Sequence, residues 1–427
     1  MSINKYYKIG KKELFPICRS ITGEGTLKTL KIIKKSFKEL KIIKIKSGTK
    51  VFDWKIPDEW NIKDAFVLDK FKKKIINFKN NNLHILNYSK KYKGYVNKKK
   101  LIKHLYSLKE RPRAIPYFTS YYKKRWGFCI SENQKKKIIN RYSEKDKFFV
   151  KIDSSHNKKG NLNFGELILK GKSKQEILIS TYVCHPSMAN NELSGPIVSQ
   201  SLIKFFKKKK LNKTLRFLFI PETIGSISYI YHNYKHLKDN VIGGYNLTCI
   251  GDDRMHSCLL SKYGNSPADK SLLKAYKELN IIYKKYSFLD RGSDERQFNS
   301  PKIDLPIASI FRSKYETFPE YHTSEDDFNL VSLKGLKGGF SVAKKAIMLL
   351  DKNIIPKSKV ICEPNLGKRG LYPTLGKRTN QNESKKILNF LQYSDGKNDL
   401  VEISRIIKVS IKEAYSIYRI LMKENLV

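Results

Sequence analysis

The sequence is short of acidic side chains, of paired cysteines and of long apolar runs. Asp and Glu total 39 against 86 Lys and Arg, which gives the 427 residues a formal net charge of +47. Such a charge raises the hypothesis of nucleic-acid or anionic-surface binding. The excess is mostly lysine and is spread along the chain, whereas phosphate recognition favours arginine. We therefore interpret it as a solvated, compositionally biased surface, with nucleic-acid binding as the alternative.

The cysteine and apolar patterns show no sign of secretion or of membrane insertion. The six cysteines are scattered without a CxxC pair, so we expect free thiols in a reducing compartment. The first residues, MSINKYYKIGKKELF, lack the apolar run of a signal peptide. No stretch approaches the ~18 apolar residues of a membrane span. We therefore expect a cytoplasmic protein, and 40% hydrophobic residues are enough for a sizeable core.

The central part of the chain alternates buried strands with amphipathic helices. The runs EILISTYV, LRFLFI, VIGGYNLTCIG and PIASIF predict strands, and SGPIVSQSLIKFF and IGSISYIYHNY predict helices between them. This alternation indicates an α/β sandwich with helices on both faces of the sheet. Residues 13–44 are predicted to be helical, whereas 51–140 carry the short β-prone pieces of a smaller, β-rich module.

The C-terminal part of the chain has the pattern of a separate helical unit. Proline and glycine concentrate in 352–380, and three short helical patterns follow, the third opened by Ser410 and Glu413 as a capping box. This arrangement is typical of a winged helix. The predicted units are a catalytic domain of 1–50 and 141–355, an inserted domain of 51–140, a linker of 356–380 and a winged-helix domain of 381–427.

Side chains with metal-binding chemistry follow four of the predicted strands. His185, Glu222 and the pair Asp252 and Asp253 come after three strands, and His322 follows the fourth after a loop. Because strands of an α/β sheet present their carboxyl ends to one crevice, we expect these groups to converge. Two histidines and a carboxylate suit zinc. Glu222 is suited to remove a proton from a water molecule that the metal activates; purely structural histidines are the alternative.

Eight motifs stand in order along the chain: LFPICRSITGEG, GTKVFDWKIPDEWNI, IPYFTSYYKKRWGFC, TYVCHPSMANNELSGP, FLFIPETIGSI, NLTCIGDD, RGSDERQF and YHTSEDD. Together they resemble the aminopeptidase-like proteins of the DUF4910/DUF2172 group, relatives of the M28 zinc exopeptidases that are often linked with surface-polysaccharide gene clusters. The resemblance covers essentially the whole chain. It implies a zinc-aminopeptidase-like three-layer sandwich with a mixed sheet, an inserted β-rich domain and a C-terminal winged helix.

The resemblance also implies roles for individual residues. His185 and His322 match the metal-binding histidines of the M28 pattern, and Glu222 matches its general base. Three positions that hold carboxylate ligands in that pattern are Asn191, Thr223 and Thr248 here. Because two neighbouring zinc ions need anionic ligands to offset their repulsion, the resemblance implies one zinc ion. The candidates for its remaining ligand are Asn191, Glu192, Asp252, Asp294 and Glu295.

The candidate substrate-binding residues are Tyr122, Arg125 and Trp126 in the inserted module and Arg291 and Asp294 in a glycine-containing loop. The module's own core and a structural turn are the respective alternatives. The resulting hypothesis is a metal-dependent hydrolase that cleaves an amide bond at a peptide N-terminus or in an aminoacyl or amino-sugar conjugate. The alternatives are a catalytically reduced fold that binds a sugar or peptide, and a DNA-binding regulator. A homo-oligomer is also compatible with the sequence.

Overall fold

The computed structural model describes residues 2–372 and 378–427. In this part of the chain the α-helices are α1 (Ser2–Ile9), α2 (Glu24–Ser36), α3 (Lys98–Lys103), α4 (Glu132–Arg141), α5 (Ser194–Phe206), α6 (Ile224–Asn240), α7 (Pro267–Glu278), α8 (Glu295–Phe298), α9 (Leu333–Lys352), α10 (Arg378–Gln392), α11 (Leu400–Ile406) and α12 (Ile411–Lys423). The strands are β1 (Lys41–Lys46), β2 (Lys50–Val51), β3 (Trp54–Lys55), β4 (Glu59–Leu68), β5 (Lys74–Asn77), β6 (Tyr92–Asn97), β7 (Leu105–Tyr106), β8 (Phe128–Cys129), β9 (Lys147–Asn157), β10 (Asn161–Leu169), β11 (Glu176–Tyr182), β12 (Thr214–Ile220), β13 (Val241–Leu247), β14 (Ser257–Leu259), β15 (Lys284–Tyr286) and β16 (Ile307–Phe311).

The large sheet is mixed, with the strand order β1-β10-β12-β11-β13-β16-β14-β15. Its four central strands, β12, β11, β13 and β16, run parallel, as the four apolar runs of the sequence predict. Strand β11 pairs with β12 on one side and with β13 on the other. The chain order therefore reverses at β11, and a crevice opens beyond the carboxyl ends of these strands.

Both faces of the large sheet are buried. Ile177 and Ile179 of β11 belong to one hydrophobic core and Leu178 and Tyr182 to another, as expected for a strand covered on both sides. Helices α1, α5, α7 and α9 contribute to the first core, and α6 and the β-rich module contribute to the second. Burying one such aliphatic side chain stabilises the fold by ~1.5–3 kcal/mol. The expected sandwich with a mixed sheet is thus confirmed.

The predicted helix over 13–44 is wrong at both ends. The helix itself spans only Glu24–Ser36, and Lys41–Lys46 form edge strand β1, which pairs antiparallel with β10. In the segment KIIKIK, Ile42 packs against one hydrophobic core and Ile43 and Ile45 against the other, because successive side chains of a strand point to opposite faces of the sheet. The segment's apolar residues also fit a helical pattern, so that a short window does not decide between the two.

A second, four-stranded sheet has the order β5-β4-β9-β6. Strand β9, which follows the predicted 51–140 module in sequence, lies between β4 and β6 and extends into this sheet. Helices α10 to α12 share a separate hydrophobic core. Within the predicted linker 356–380, Leu366 packs into that core, and residues 373–377 lie outside the described residues. The exact domain bounds stay a prediction.

The C-terminal helices rest against the sandwich through polar contacts. The Asn353 side-chain amide donates to Asp399 at 3.1 Å, and Lys270 lies 3.4 Å from Glu402. The predicted capping box is half formed: the Ser410 hydroxyl accepts from the backbone of Glu413 at 3.1 Å. In the described residues, no helix has the length and apolar character needed to cross a membrane.

Candidate metal and catalytic site

Three of the predicted site residues meet at the carboxyl ends of the central strands. His185 follows β11 and Glu222 follows β12, and the two side chains approach to 3.6 Å between Nε2 and Oε2. The His322 ring lies beside His185, with 5.2 Å between ring centroids. The His185 imidazole is buried, whereas His322 and Glu222 are half-buried, with 22% of the Glu222 side chain exposed. A carboxylate with access to solvent therefore lies beside His185, whose ring adjoins that of His322.

The orientation of His185 is fixed by Glu192 and Arg19. Glu192 Oε2 lies 2.8 Å from His185 Nδ1, and the Arg19 Nε–H donates to the main-chain oxygen of His185 at 2.8 Å. Arg19 Nε also lies 3.5 Å from Glu192 Oε1, and neither side chain is exposed. Burial lowers the pKa of His185 to about 3 and also raises the pKa of Glu192, whereas the buried guanidinium of Arg19 favours the ionised carboxylate. His185 is thus neutral, and its Nδ1 side is occupied.

His322 is held by aromatic rings from two directions. Tyr321 stacks on it at 3.9 Å between centroids, and Tyr117 of the inserted module meets both His322 and His185 edge-on, at 5.3 and 5.2 Å. Burial and the neighbouring His185 keep the pKa of His322 well below its ordinary value. Among the described residues, no hydrogen-bond partner is found for His322 Nε2. An unpaired buried nitrogen is costly, so this atom is expected to have a ligand.

Glu222 lies at a strained turn between β12 and α6. The next residue, Thr223, has φ 64 and ψ −77, and its backbone N–H donates to Asp294 at 2.7 Å. Asp294 also accepts from the Ser226 hydroxyl at 2.8 Å. Burial, and then the carboxyl group of Asp294, raise the pKa of Glu222. Asp294 therefore supports the turn that carries Glu222 and makes its carboxyl group more basic.

At three positions where the sequence resemblance implies carboxylate ligands, this chain has the uncharged residues Asn191, Thr223 and Thr248. These three residues differ in what they contact. The hydroxyl of Thr223 accepts from Arg296 at 2.7 Å, and Thr248 contacts the Tyr182 hydroxyl and donates to the main chain of Asn191 at 2.9 Å. Neither threonine supplies charge. The Asn191 amide nitrogen donates to Tyr182 at 2.7 Å, but its Oδ1 is buried and has no partner in the described chain. Asn191 alone of the three keeps a free acceptor.

Asp252 and Glu295, both proposed as ligands, are fully engaged elsewhere. Asp252 accepts from the backbone and hydroxyl of Ser313 at 2.9 and 2.8 Å and from Asn190 at 3.0 Å. Glu295 accepts from five donors: the backbone of Gly292 and Ser293, and the side chains of Tyr315, Asn246 and Ser309. These contacts occupy the lone pairs that a metal would need, so they give both residues structural roles.

The candidate substrate contacts divide between surface and core. Trp126 is 5% exposed and stacks between Tyr92 and His104, so both faces of its ring lie in the module's core. Arg125 is exposed and donates to Thr119. Tyr122 is 59% exposed. Arg291 is also exposed and lines a surface cavity of about 970 Å³.

Sequence reasoning missed Arg19 and Tyr117. Both lie inside motifs of the family resemblance, LFPICRS and IPYFTSYY, and this was the signal that could have found them. Their contacts join residues far apart in the chain, 166 positions in the case of Arg19 and His185. Cys184, His185 and Glu192 also place possible ligand atoms within 4.8 Å of one another. The Cys184 sulfur, however, already accepts from the Glu222 backbone, and burial keeps the pKa of its thiol well above its ordinary value.

The mixed sheet and the groups at its carboxyl edge define an aminopeptidase-like α/β protein. The chain belongs to the DUF4910 family, described as a domain of unknown function, whose model matches residues 7–353. A winged helix-turn-helix model matches residues 353–427. Both assignments agree with the resemblance seen in the motifs.

Similar proteins support the assignment to an aminopeptidase-like fold. A Clostridium acetobutylicum protein described as a "Putative polysaccharide biosynthesis protein with aminopeptidase-like domain" is 41% identical over 92% of this chain and 89% of its own. A crystal structure of a "putative peptidase" from the same species has a TM-score of 0.79 at 38% identity, over 100% of this chain and 96% of that one. The zinc aminopeptidase BSAP of Bacillus subtilis has a TM-score of 0.59 at 14% identity, over 81% and 93%. This last likeness shows the fold.

Proposed function

We propose that the chain is a metal-dependent hydrolase of amide bonds, with one zinc ion held by His185 and His322 and with Glu222 as general base. The observation that carries the proposal is that two adjacent imidazoles and a partly exposed carboxylate lie at one edge of the sheet, at 5.2 Å between rings and 3.6 Å from His185 Nε2 to Glu222. The family's polysaccharide-linked relative supports a substrate that is an aminoacyl or amino-sugar conjugate.

The donor atoms that these residues offer are of the kinds that one divalent ion binds. His322 Nε2 and Asn191 Oδ1 are buried acceptors without partners among the described residues. With Nδ1–H of His185 donated to Glu192, its Nε2 presents a lone pair on the side of Glu222. A carboxylate behind a ligating imidazole is the usual arrangement in zinc sites. The uncharged Thr223 and Thr248 argue against a second ion.

The ion would polarise the substrate carbonyl and acidify a water molecule. The remaining work falls to the chain's own residues. Glu222 accepts the proton of the attacking water and delivers it to the departing amine. Because burial and Asp294 favour its protonated form, Glu222 needs a neighbouring positive charge to act as a base near neutral pH. Tyr117 packs edge-on against both imidazoles and helps to hold them in place.

The test is metal content together with hydrolysis of a chromogenic aminoacyl substrate. We expect about one zinc ion per chain, lost in His322→Ala and retained in His232→Ala, a matched change at an exposed histidine of α6. Glu222→Gln is expected to keep the metal and to lose at least ~100-fold in turnover, the lower range of general-base contributions. Full turnover in Glu222→Gln, or in protein freed of metal, would refute the proposal.

The second candidate is a binding protein without catalysis, favoured by the three uncharged residues Asn191, Thr223 and Thr248. It predicts that purified protein retains a ligand unchanged, without zinc. DNA binding through α12 stays a prediction.

A further inference from the structure

A cleft of about 340 Å³ lies between the β2–β3 hairpin, one face of α6 and the segment that follows α8. Its walls combine the rings of Phe52, Trp54 and Tyr234 with polar side chains, among them Asp53 and Gln297. We refer to it as the aromatic cleft. Its rings remain accessible, at 47% for Phe52, 38% for Trp54 and 41% for Tyr234. Exposed apolar groups that cluster in this way mark binding sites.

The tip of the β2–β3 hairpin places a non-glycine residue, Phe52, in a backbone conformation that it disfavours. Val51 pairs with Trp54, so that Phe52 and Asp53 form a two-residue turn. Phe52 has φ 51, and the first position of such a turn normally holds glycine because it needs a positive φ. The ring at this strained position is 47% exposed and packs edge-on against Tyr231 of α6. Strain of this kind collects at functional sites, and the exposed part of the Phe52 ring is free to contact a ligand.

The aromatic cleft adjoins the proposed catalytic site through two elements. Ile227, on its wall, donates its backbone N–H to Thr223 at 2.9 Å and so lies one helical turn, ~5.4 Å, beyond the residue after Glu222. Gln297, also on its wall, follows Arg296, which donates to the Thr223 hydroxyl at 2.7 Å. The cleft and the turn that carries Glu222 are therefore built on the same two helices, α6 and α8.

The cleft is lined by both aromatic and polar side chains, and this combination limits which kinds of ligand fit it. A purely apolar group would leave Asp53, Gln297 and Lys302 without hydrogen bonds where it covers them, and the opposite charges of Asp53 and Lys302 favour a neutral, polar occupant. A saccharide ring suits both components, because its C–H face stacks on aromatic rings while its hydroxyl groups bond to the polar rim. Resting on the proposed function, we propose that the aromatic cleft binds a saccharide and that the substrate is an amide-bearing sugar conjugate.

Tryptophan fluorescence gives a direct test. The other two tryptophans, Trp60 and Trp126, are 2% and 5% exposed, so Trp54 dominates quenching by acrylamide. The titration uses the full-length Glu222→Gln protein in chelator, with the N-acetylglucosamine trimer as probe and tetra-alanine as comparison. We expect saturable protection of Trp54 by the trimer and none by the peptide. Protection by tetra-alanine alone, or by neither probe, would overturn the inference.

Phe52→Gly separates a binding role from a structural one. Glycine relieves the positive φ, so the variant should unfold at an equal or higher denaturant concentration. At the same time it removes a stacking ring, so the dissociation constant for the trimer, measured by calorimetry, should rise about tenfold. Tyr263→Ala, at a 75% exposed aromatic outside the cleft, should leave that constant unchanged. An unchanged constant in Phe52→Gly would refute the inference.

The two proposals fail in distinguishable ways. If hydrolysis of the aminoacyl substrate persists and the trimer does not bind, the aromatic cleft is not a saccharide site and the hydrolase proposal stands. If the trimer binds and the protein shows neither zinc nor hydrolysis, the saccharide assignment stands and its role passes to a binding protein.

Discussion

Replacing Glu192 with glutamine isolates the carboxylate that orients His185. Glutamine keeps the size of the side chain, and its amide oxygen can still accept from His185 Nδ1. Its NH₂ group, however, then faces Arg19, whose Nε lies 3.5 Å from Glu192 Oε1 in the parent protein. Because Arg19 is fully buried, the variant leaves a buried cation without its counter-charge.

The magnitude follows from this geometry. Two charges 3.5 Å apart attract each other by about 5 kcal/mol at an effective dielectric constant of 20, and breaking a buried pair typically costs ~3–5 kcal/mol. Arg19 keeps two carbonyl acceptors, at 2.8 Å on His185 and 2.6 Å on Leu14. We therefore expect the free energy of unfolding to fall by about 3 kcal/mol. If His185 binds zinc, the affinity should also fall ~10–100-fold.

Denaturant unfolding and a competitive zinc titration measure the two effects. Glu132→Gln is the matched control, because Glu132 is 9% exposed and contacts the neutral Ser107 hydroxyl at 2.7 Å. It should cost about 1 kcal/mol and leave zinc affinity unchanged. Glu192→Asp keeps the charge and should recover part of both losses. A Glu192→Gln protein within about 1 kcal/mol of the parent would show that Arg19 does not depend on this carboxylate.

Two further outcomes follow from burial. Trp126→Ala should lower the free energy of unfolding by ~3–5 kcal/mol, whereas the exposed Tyr122→Ala should stay within ~0.5 kcal/mol; similar losses in denaturant unfolding would contradict the assignment of Trp126 to the core. Burial lowers the pKa of Lys213 to about 8, so above that pH the unfolded chain binds more protons there than the folded one. The stability of the parent relative to Lys213→Met should therefore rise between about pH 8 and 10.5, and a falling difference would refute it.

The sequence predicts the centre of the sheet better than its edges. Helix α5 begins at Ser194 and ends at Phe206, the bounds of the apolar pattern SGPIVSQSLIKFF, because a helix buried along its length carries its signal locally. Strand β9 instead joins the second sheet by pairing with β4 and β6 across many residues. A local hydrophobic pattern does not report such long-range pairing. The sequence therefore does not predict that β9 pairs with the strands of the β-rich module.

For the candidate site, the sequence predicts which side chains lie there, but not which of them already have hydrogen-bond partners. Position after a parallel strand singled out His185 and Glu222, because strand ends meet at one edge. The same rule also selected Asp252, whose lone pairs the structure shows to be taken by Ser313 and Asn190. Whether a carboxylate is free depends on donors brought in by folding, and no spacing rule reports them. The role of Glu192 likewise depends on Arg19, which is brought next to it only by folding.

The inserted module is part of the site rather than an appendage. Tyr117 contacts both imidazoles, and its backbone N–H donates at 2.8 Å to the main-chain oxygen of His322, a residue with φ 55. Neighbouring contacts continue this junction, since Pro116 bridges to Thr323 and Ile115 accepts from the backbone of Ser324 at 2.8 Å. A non-glycine residue in the left-handed region costs ~1–3 kcal/mol and persists only where its surroundings hold it. The conformation that places His322 beside His185 thus depends on contacts with the segment that carries Ile115 and Tyr117.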